Sequence, residues 1–131
     1  LTALETLEGS FKGVKKPYPK EFGNLTNLKR LVVTHDTEPN IPSSFSKLEQ
    51  LVALIFRDSQ METTPKAFND LTNITYLDIR DNLIDEIEPA FLARLTQCNA
   101  RNLDLQDNKV AYSASKIKKY KSLLPYAYIS S

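Results

Sequence analysis

Tryptophan is absent from the chain, and cysteine, histidine and methionine occur once each. Cys98 has no second cysteine to pair with and cannot build a multi-cysteine metal site, so its expected place is that of a small buried hydrophobe. His35 has no cysteine or acid–base constellation around it in sequence; that leaves a nucleophilic triad unsupported and suits an ordinary surface histidine. With three glycines there is no glycine-rich phosphate loop. A net charge of +1 and the lack of an aromatic stacking series give a nucleic acid little to hold. The longest apolar run, LVALIF at 51–56, falls far short of the roughly 20 residues a membrane helix needs. What is left, 41% apolar and 25% charged over 131 residues, is the composition of one soluble domain, 1–131. The chain opens on Leu1 without a signal-like segment, which suits a mature product or a piece of a longer protein.

What is present is repetition. An apolar-x-apolar pattern starts at Leu7, Leu31, Leu54, Leu77, Leu103 and Tyr126, in steps of 24, 23, 23, 26 and 23 residues. Three and six residues before these anchors stand Leu4 and Leu1, Leu28 and Leu25, Leu51 and Leu48, Ile74 and Leu71, then Leu123 and Tyr120. Seven residues past the anchors come Val14, Glu38, Met61, Ile84 and Val110; seven further on come Phe45, Phe68, Phe91 and Ile117, with Phe22 one residue late. Prolines 19, 42, 65 and 89 fall just ahead of the phenylalanines. The anchor half of each period alternates apolar and polar, which predicts a short half-buried strand. The other half spaces its apolar residues by three or four behind a proline, which predicts a short helix or turn. A single such unit cannot bury its own apolar edge, whereas a stack of them can.

With these columns aligned, the chain resembles the leucine-rich repeat family. LTNITYLDIRDNLI at 71–84 matches the pattern LxxLxxLxLxxNxL in full and NLDLQDNKV at 102–110 matches it closely; GNLTNLKRL with NIPSSFSKL is similar to the typical or plant-like subclasses. The resemblance implies an α/β right-handed solenoid of about five repeats. It would have a parallel concave sheet of five or six short strands, short helices or 3₁₀ turns on the convex side, and a degenerate capping helix and strand at 113–130. The family's asparagine column holds Asn82 and Asn108 but Lys12, Asp36 and Ser59 in the earlier repeats, so the N-terminal half is expected to be less regular. FLARLTQCNA, where the period lengthens by three residues, should hold a longer convex helix or an irregular connection. SASKIKKYKSLL should be an amphipathic helix capped by Ser113 or Ser115, with Lys116, Lys118, Lys119 and Lys121 on a solvated face. Tyr126 and Tyr128 are expected in the anchor positions of a last strand.

Residues flanking the anchors then point away from the core. Before the anchor they are Thr6, Arg30, Ala53, Tyr76 and Asn102; after it, Glu8, Val32, Ile55, Asp78 and Asp104; further along, Thr34, Arg57, Arg80 and Gln106; at the exits, His35, Asp58, Asp81 and Asp107. An apolar strip beside an aromatic ring and arginines has the make-up of a protein-binding hot spot. The expected partner-binding set is therefore Arg30, Val32, Ile55, Arg57, Tyr76, Asp78, Arg80, Asp104 and Gln106, facing a protein or peptide, with no cofactor. Asp78 and Asp104 on adjacent strands imitate a glycosidase pair, but a shallow sheet face with Arg80 beside them would keep both ionised. A calcium site from Asp78, Asp81, Asp104 and Asp107 would need exit and strand residues to converge. The reading is thus a non-enzymatic recognition domain; the alternative is a spacer or stacking segment of a longer surface protein, self-associating through its terminal strands. The sequons Asn24-Leu25-Thr26 and Asn73-Ile74-Thr75 would suit a cell-surface location, although the repeat pattern itself tends to write Leu-Thr-Asn there.

Overall fold

In the computed structural model, which describes residues 3–10, 12, 18–36 and 41–131, six strands form one sheet. They are β1 (Thr6–Ser10), β2 (Arg30–Thr34), β3 (Ala53–Arg57), β4 (Tyr76–Asp78), β5 (Asn102–Asp104) and β6 (Tyr128–Ser130). Each pairs in parallel with the next, in sequence order. The return segments are 3₁₀ turns at Lys20–Asn24, Ser43–Lys47 and Lys66–Asp70, then helix α1 (Pro89–Gln97), and finally a 3₁₀ turn at Lys109–Tyr112 followed by helix α2 (Ala114–Leu123). Of the repeat columns, the members Leu1, Val14 and Glu38 lie outside the described residues.

The repeat pattern becomes a layered core. Leu31, Leu54, Leu77 and Leu103 share a register row, and Val33, Phe56, Ile79 and Leu105 follow two residues on; all are buried. Leu28, Leu51 and Ile74 bury the strand entrance. There one carbonyl accepts two N–H groups of the next repeat: Lys29 and Arg30 donate to Glu5, Val52 and Ala53 to Lys29, Thr75 and Tyr76 to Val52, Arg101 and Asn102 to Thr75. Opposite the sheet, Phe22 and Phe45 of adjacent return segments stack at 4.8 Å between centroids and Phe68 and Phe91 pack tilted at 5.7 Å, while Phe56 of β3 meets Phe68 at 5.8 Å.

A second spine is polar. Asn82 is buried, its Oδ1 accepting from the N–H groups of Ser59 and Met61 while Nδ2 donates to the carbonyls of Phe56 and Ile79, so it ties two adjacent repeats together. Asn108 does the same one repeat later, between Ile84 N–H and the carbonyls of Ile79 and Leu105. The substituted positions still belong to this column. Ser59 Oγ accepts from Asp36 N–H and donates to the Arg57 carbonyl. Asp36, buried and unable to donate, receives the Tyr18 hydroxyl at 2.7 Å, and Tyr18 is pushed far above its ordinary pKa by burial and by that carboxylate.

One register differs from the sequence reading. Leu103 pairs with Ile129, and the rows put Tyr128 opposite Asn102 and Ser130 opposite Asp104. The inward pair is therefore Ala127 and Ile129, packed against the core, while Tyr126 and Tyr128 are 86% and 72% exposed. The reason is α2, whose ten residues lengthen the return path just as α1 does in the repeat before. Aliphatic side chains enter the core without a hydroxyl to satisfy, and the tyrosines keep theirs in water. Cys98 is also only half-buried, its thiol 3.9 Å from the Leu71 carbonyl at the end of α1.

Candidate functional site: the open face of the sheet

The strand register brings the flanking residues into columns as expected: Thr6, Arg30, Ala53, Tyr76, Asn102 in one, and Glu8, Val32, Ile55, Asp78, Asp104 in the next. Their exposure divides them. Val32 and Ile55 are buried, at 5% and 3%, between Arg30 and Ala53 on one side and Thr34 and Arg57 on the other. They form a floor and not an exposed apolar strip. Asp78, 1% exposed, is likewise not a surface residue. Arg30 is exposed, and Arg57, Tyr76, Arg80, Asp104 and Gln106 are half-buried.

Asp78 is buried because two arginines close over it. Arg57 Nε donates to its Oδ2 at 2.7 Å, while Oδ1 accepts the Arg80 backbone N–H at 3.1 Å and Arg80 Nε at 3.3 Å. The hydrogen bond to Asp78 is the main cause holding Arg57 above its ordinary pKa. Arg80 Nε also reaches Asp104 at 3.2 Å, so one guanidinium bridges the two carboxylates. Asp104 further accepts the Gln106 backbone N–H at 3.1 Å and its amide at 3.3 Å. A buried carboxylate is tolerable only with such pairing, and the network fixes Arg57 and Arg80 in place while leaving their side chains 38% and 33% exposed. Held guanidinium groups lose little rotamer freedom when a partner arrives.

The strand exits have a backbone explanation. His35, Asp58, Asp81 and Asp107 all adopt φ between 51° and 58°, the left-handed region that Asp, Asn and His enter more easily than other side chains. There the N–H groups of His35, Asp58 and Asp81 donate to the carbonyls of Arg57, Arg80 and Gln106. These carboxylates are turn formers first. They point from a different place than Asp78 and Asp104, and among the described residues no group of three or more His, Cys, Asp or Glu is disposed to hold a metal ion. His35 Nδ1 sits 2.8 Å from Asp58 Oδ2 at the exposed end of this rim.

Two face residues escaped the sequence reading. Tyr128 and Ser130 extend the Tyr76–Asn102 and Asp78–Asp104 columns, hidden there by the misplaced register of β6. The signal was present: Ala127 and Ile129 alternate with tyrosines, and Ile129 follows Leu103 at the same 26-residue step that separates Leu103 from Leu77. At the opposite corner Asn73 Nδ2 donates to the Glu49 carbonyl at 2.8 Å, which gives that sequon asparagine a structural task between repeats. No described helix is long and apolar enough to cross a membrane.

No family model matches the chain, and no curated protein resembles it in sequence. Among solved structures, a leucine-rich repeat protein of Leptospira interrogans aligns over 99% of this chain with a TM-score of 0.69 at 19% sequence identity. This chain spans 38% of the length of that one. The parallel one-after-another sheet, the inward leucine rows, the asparagine spine and this likeness together show that the chain has the leucine-rich repeat fold.

Proposed function

We propose that residues 1–131 act as one non-enzymatic recognition unit that binds a protein or peptide on the concave face of the sheet. The observation that carries the reading is the arginine–carboxylate network, which presents two immobilised, part-exposed guanidinium groups beside an aromatic ring. Arg30, Arg57, Tyr76, Arg80, Asp104 and Gln106 make the contact, and Val32, Ile55 and Asp78 form its floor. Aromatic rings and arginines over a dry base are the usual composition of interface hot spots. A partner should be captured by the intact chain and lost by the Tyr76→Ala/Arg80→Ala double variant, with circular dichroism showing that the variant stays folded. Normal capture by a folded double variant would assign binding to another surface.

A second reading is a stacking or spacer role. It is favoured by β1 and β6, which among the described residues each pair on one side only, and by the longer chain of the solved protein whose fold it shares. The two readings differ in whether the chain's mass rises with its own concentration.

A further inference from the structure

The geometry points to the β4–β6 end of the concave face as a slot for a lysine or arginine side chain presented by a protein partner; this deepens the reading above and rests on it. Tyr76, Asn102 and Tyr128 share one column, and Asp78, Asp104 and Ser130 share the next. Tyr76 and Tyr128 thus stand two strands apart, about 9.6 Å at the ordinary strand spacing. Between them opens a cavity of about 140 Å³, lined by these tyrosines with Asn102, Leu103, Asp104 and Ser130. A space of roughly 150 Å³ takes one benzene molecule, so this one is sized for a single side chain.

Two features select a cation. The walls are tyrosine rings, whose π faces attract ammonium and guanidinium groups and also pack against their alkyl stems. The polar end is acidic. Asp104 shares Arg80 with Asp78, and along the adjoining rim Asp58, Asp81 and Asp107 follow on successive repeats. These columns and the rim of β3 to β5 carry five carboxylates and two guanidinium groups: Arg57 pairs with Asp78, Arg80 with Asp78 and Asp104, and His35 meets Asp58. The negative field of the rim contributes at Asp81, whose pKa is raised first by desolvation, then by its hydrogen bond and charge contact with Asp107 and by Asp58, while Arg80 opposes the shift. A carboxylate or phosphate entering the slot would add to that field. A cation relieves it, with the Asn102 amide oxygen and the Ser130 hydroxyl as further acceptors.

Titration of the isotope-labelled intact chain with the peptide Ac-Gly-Arg-Gly-NH₂ and with its norleucine counterpart tests the slot. The arginine peptide should shift the amide signals of Asn102, Tyr128 and Ser130 with a weak saturable isotherm, and the norleucine peptide should leave them in place. Tyr128→Ala removes a side chain that is 72% exposed, so the core is not disturbed; it should weaken the arginine peptide about two- to fivefold, the size of an exposed cation–π contact. Equal shifts with norleucine, or shifts confined to other regions, would overturn the proposal. A partner that loses affinity with Tyr76→Ala/Arg80→Ala but binds Tyr128→Ala normally would keep the concave face as the interface and remove the slot.

Discussion

Asp81 holds a φ of 57°, and so do its column mates to within a few degrees, which makes the exit column a backbone requirement before it is a charge pattern. A β-branched side chain at this position meets its own carbonyl, so Asp81→Val should cost ~1–2 kcal/mol in denaturant unfolding, whereas Asp81→Asn keeps the conformation. The asparagine variant also isolates the charge. Asp81 has its pKa raised from 3.8, by desolvation and by Asp107 and Asp58, so the folded state binds its proton more tightly than the unfolded one. The stability tied to that proton is fully present below the unfolded pKa and is lost as pH rises through the folded pKa. Asp81→Asn should therefore raise the melting temperature near pH 7 and lose that advantage at about pH 3, with the part due to the charges of Asp107 and Asp58 falling in high salt. A gain independent of pH and salt would mean the rim charges are already compensated.

The first four return segments come in two kinds, and the spacing of proline to phenylalanine separates them. In Pro19-x-x-Phe22, Pro42-x-x-Phe45 and Pro65-x-x-Phe68 the proline lies just outside a five-residue 3₁₀ turn, its backbone extended and its carbonyl accepting the phenylalanine N–H at 3.0 to 3.1 Å. In Pro89-Ala90-Phe91 the proline is instead the first helical residue, and Ala, Leu and Arg, strong helix formers, carry α1 on for nine residues. The 3₁₀ turns pack closely enough that Gly23 is required: a Cβ there would lie 2.5 Å from the Ser44 carbonyl oxygen and 2.9 Å from its Cβ. Gly23→Ala should destabilise the chain by ~1–3 kcal/mol in urea unfolding, the usual cost of overpacking. An unchanged midpoint would show that the first two turns can move apart freely. For α2, Ser113 Oγ accepts the Lys116 N–H at 3.4 Å, and Ile117 and Tyr120 face inward, with the buried Tyr120 hydroxyl accepting Ile87 N–H.

Across the described residues each repeat touches mainly its neighbours, so stability is passed from one repeat to the next. The C-terminal end carries β6, with Tyr126 and Tyr128 largely exposed, and Tyr112, 85% exposed, in the turn before α2. If stacking is the chain's role, light scattering should show mass rising with concentration, and Tyr126→Lys should hold it at the monomer by charging the edge. A mass that stays monomeric at all concentrations counts against stacking and in favour of recognition. Most of this architecture was legible in sequence, because leucines, phenylalanines and asparagines recur in columns that have one physical solution. The columns of the open face from Thr6 to Asp104 were legible as well, since alternation along a strand fixes which residues share a side. Their exposure was not. Nothing in the letters of Asp78 says that Arg57, twenty-one positions earlier, folds over it.

The sequence by itself determined the repeat, the inward rows, the proline-led turns and the exit column, since each follows from local geometry multiplied along the chain. Tertiary structure decided three matters that the sequence reading had left open or misplaced. It set β6 on Ile129, because the length of α2 fixes where the chain re-enters the sheet. It admitted Asp36 to the asparagine spine, because Tyr18 supplies a hydroxyl from eighteen residues away. It turned Asp78 from a presumed contact into the buried node that holds two arginines in place, because burying a charge depends on what else arrives beside it, and that is settled between repeats rather than within one.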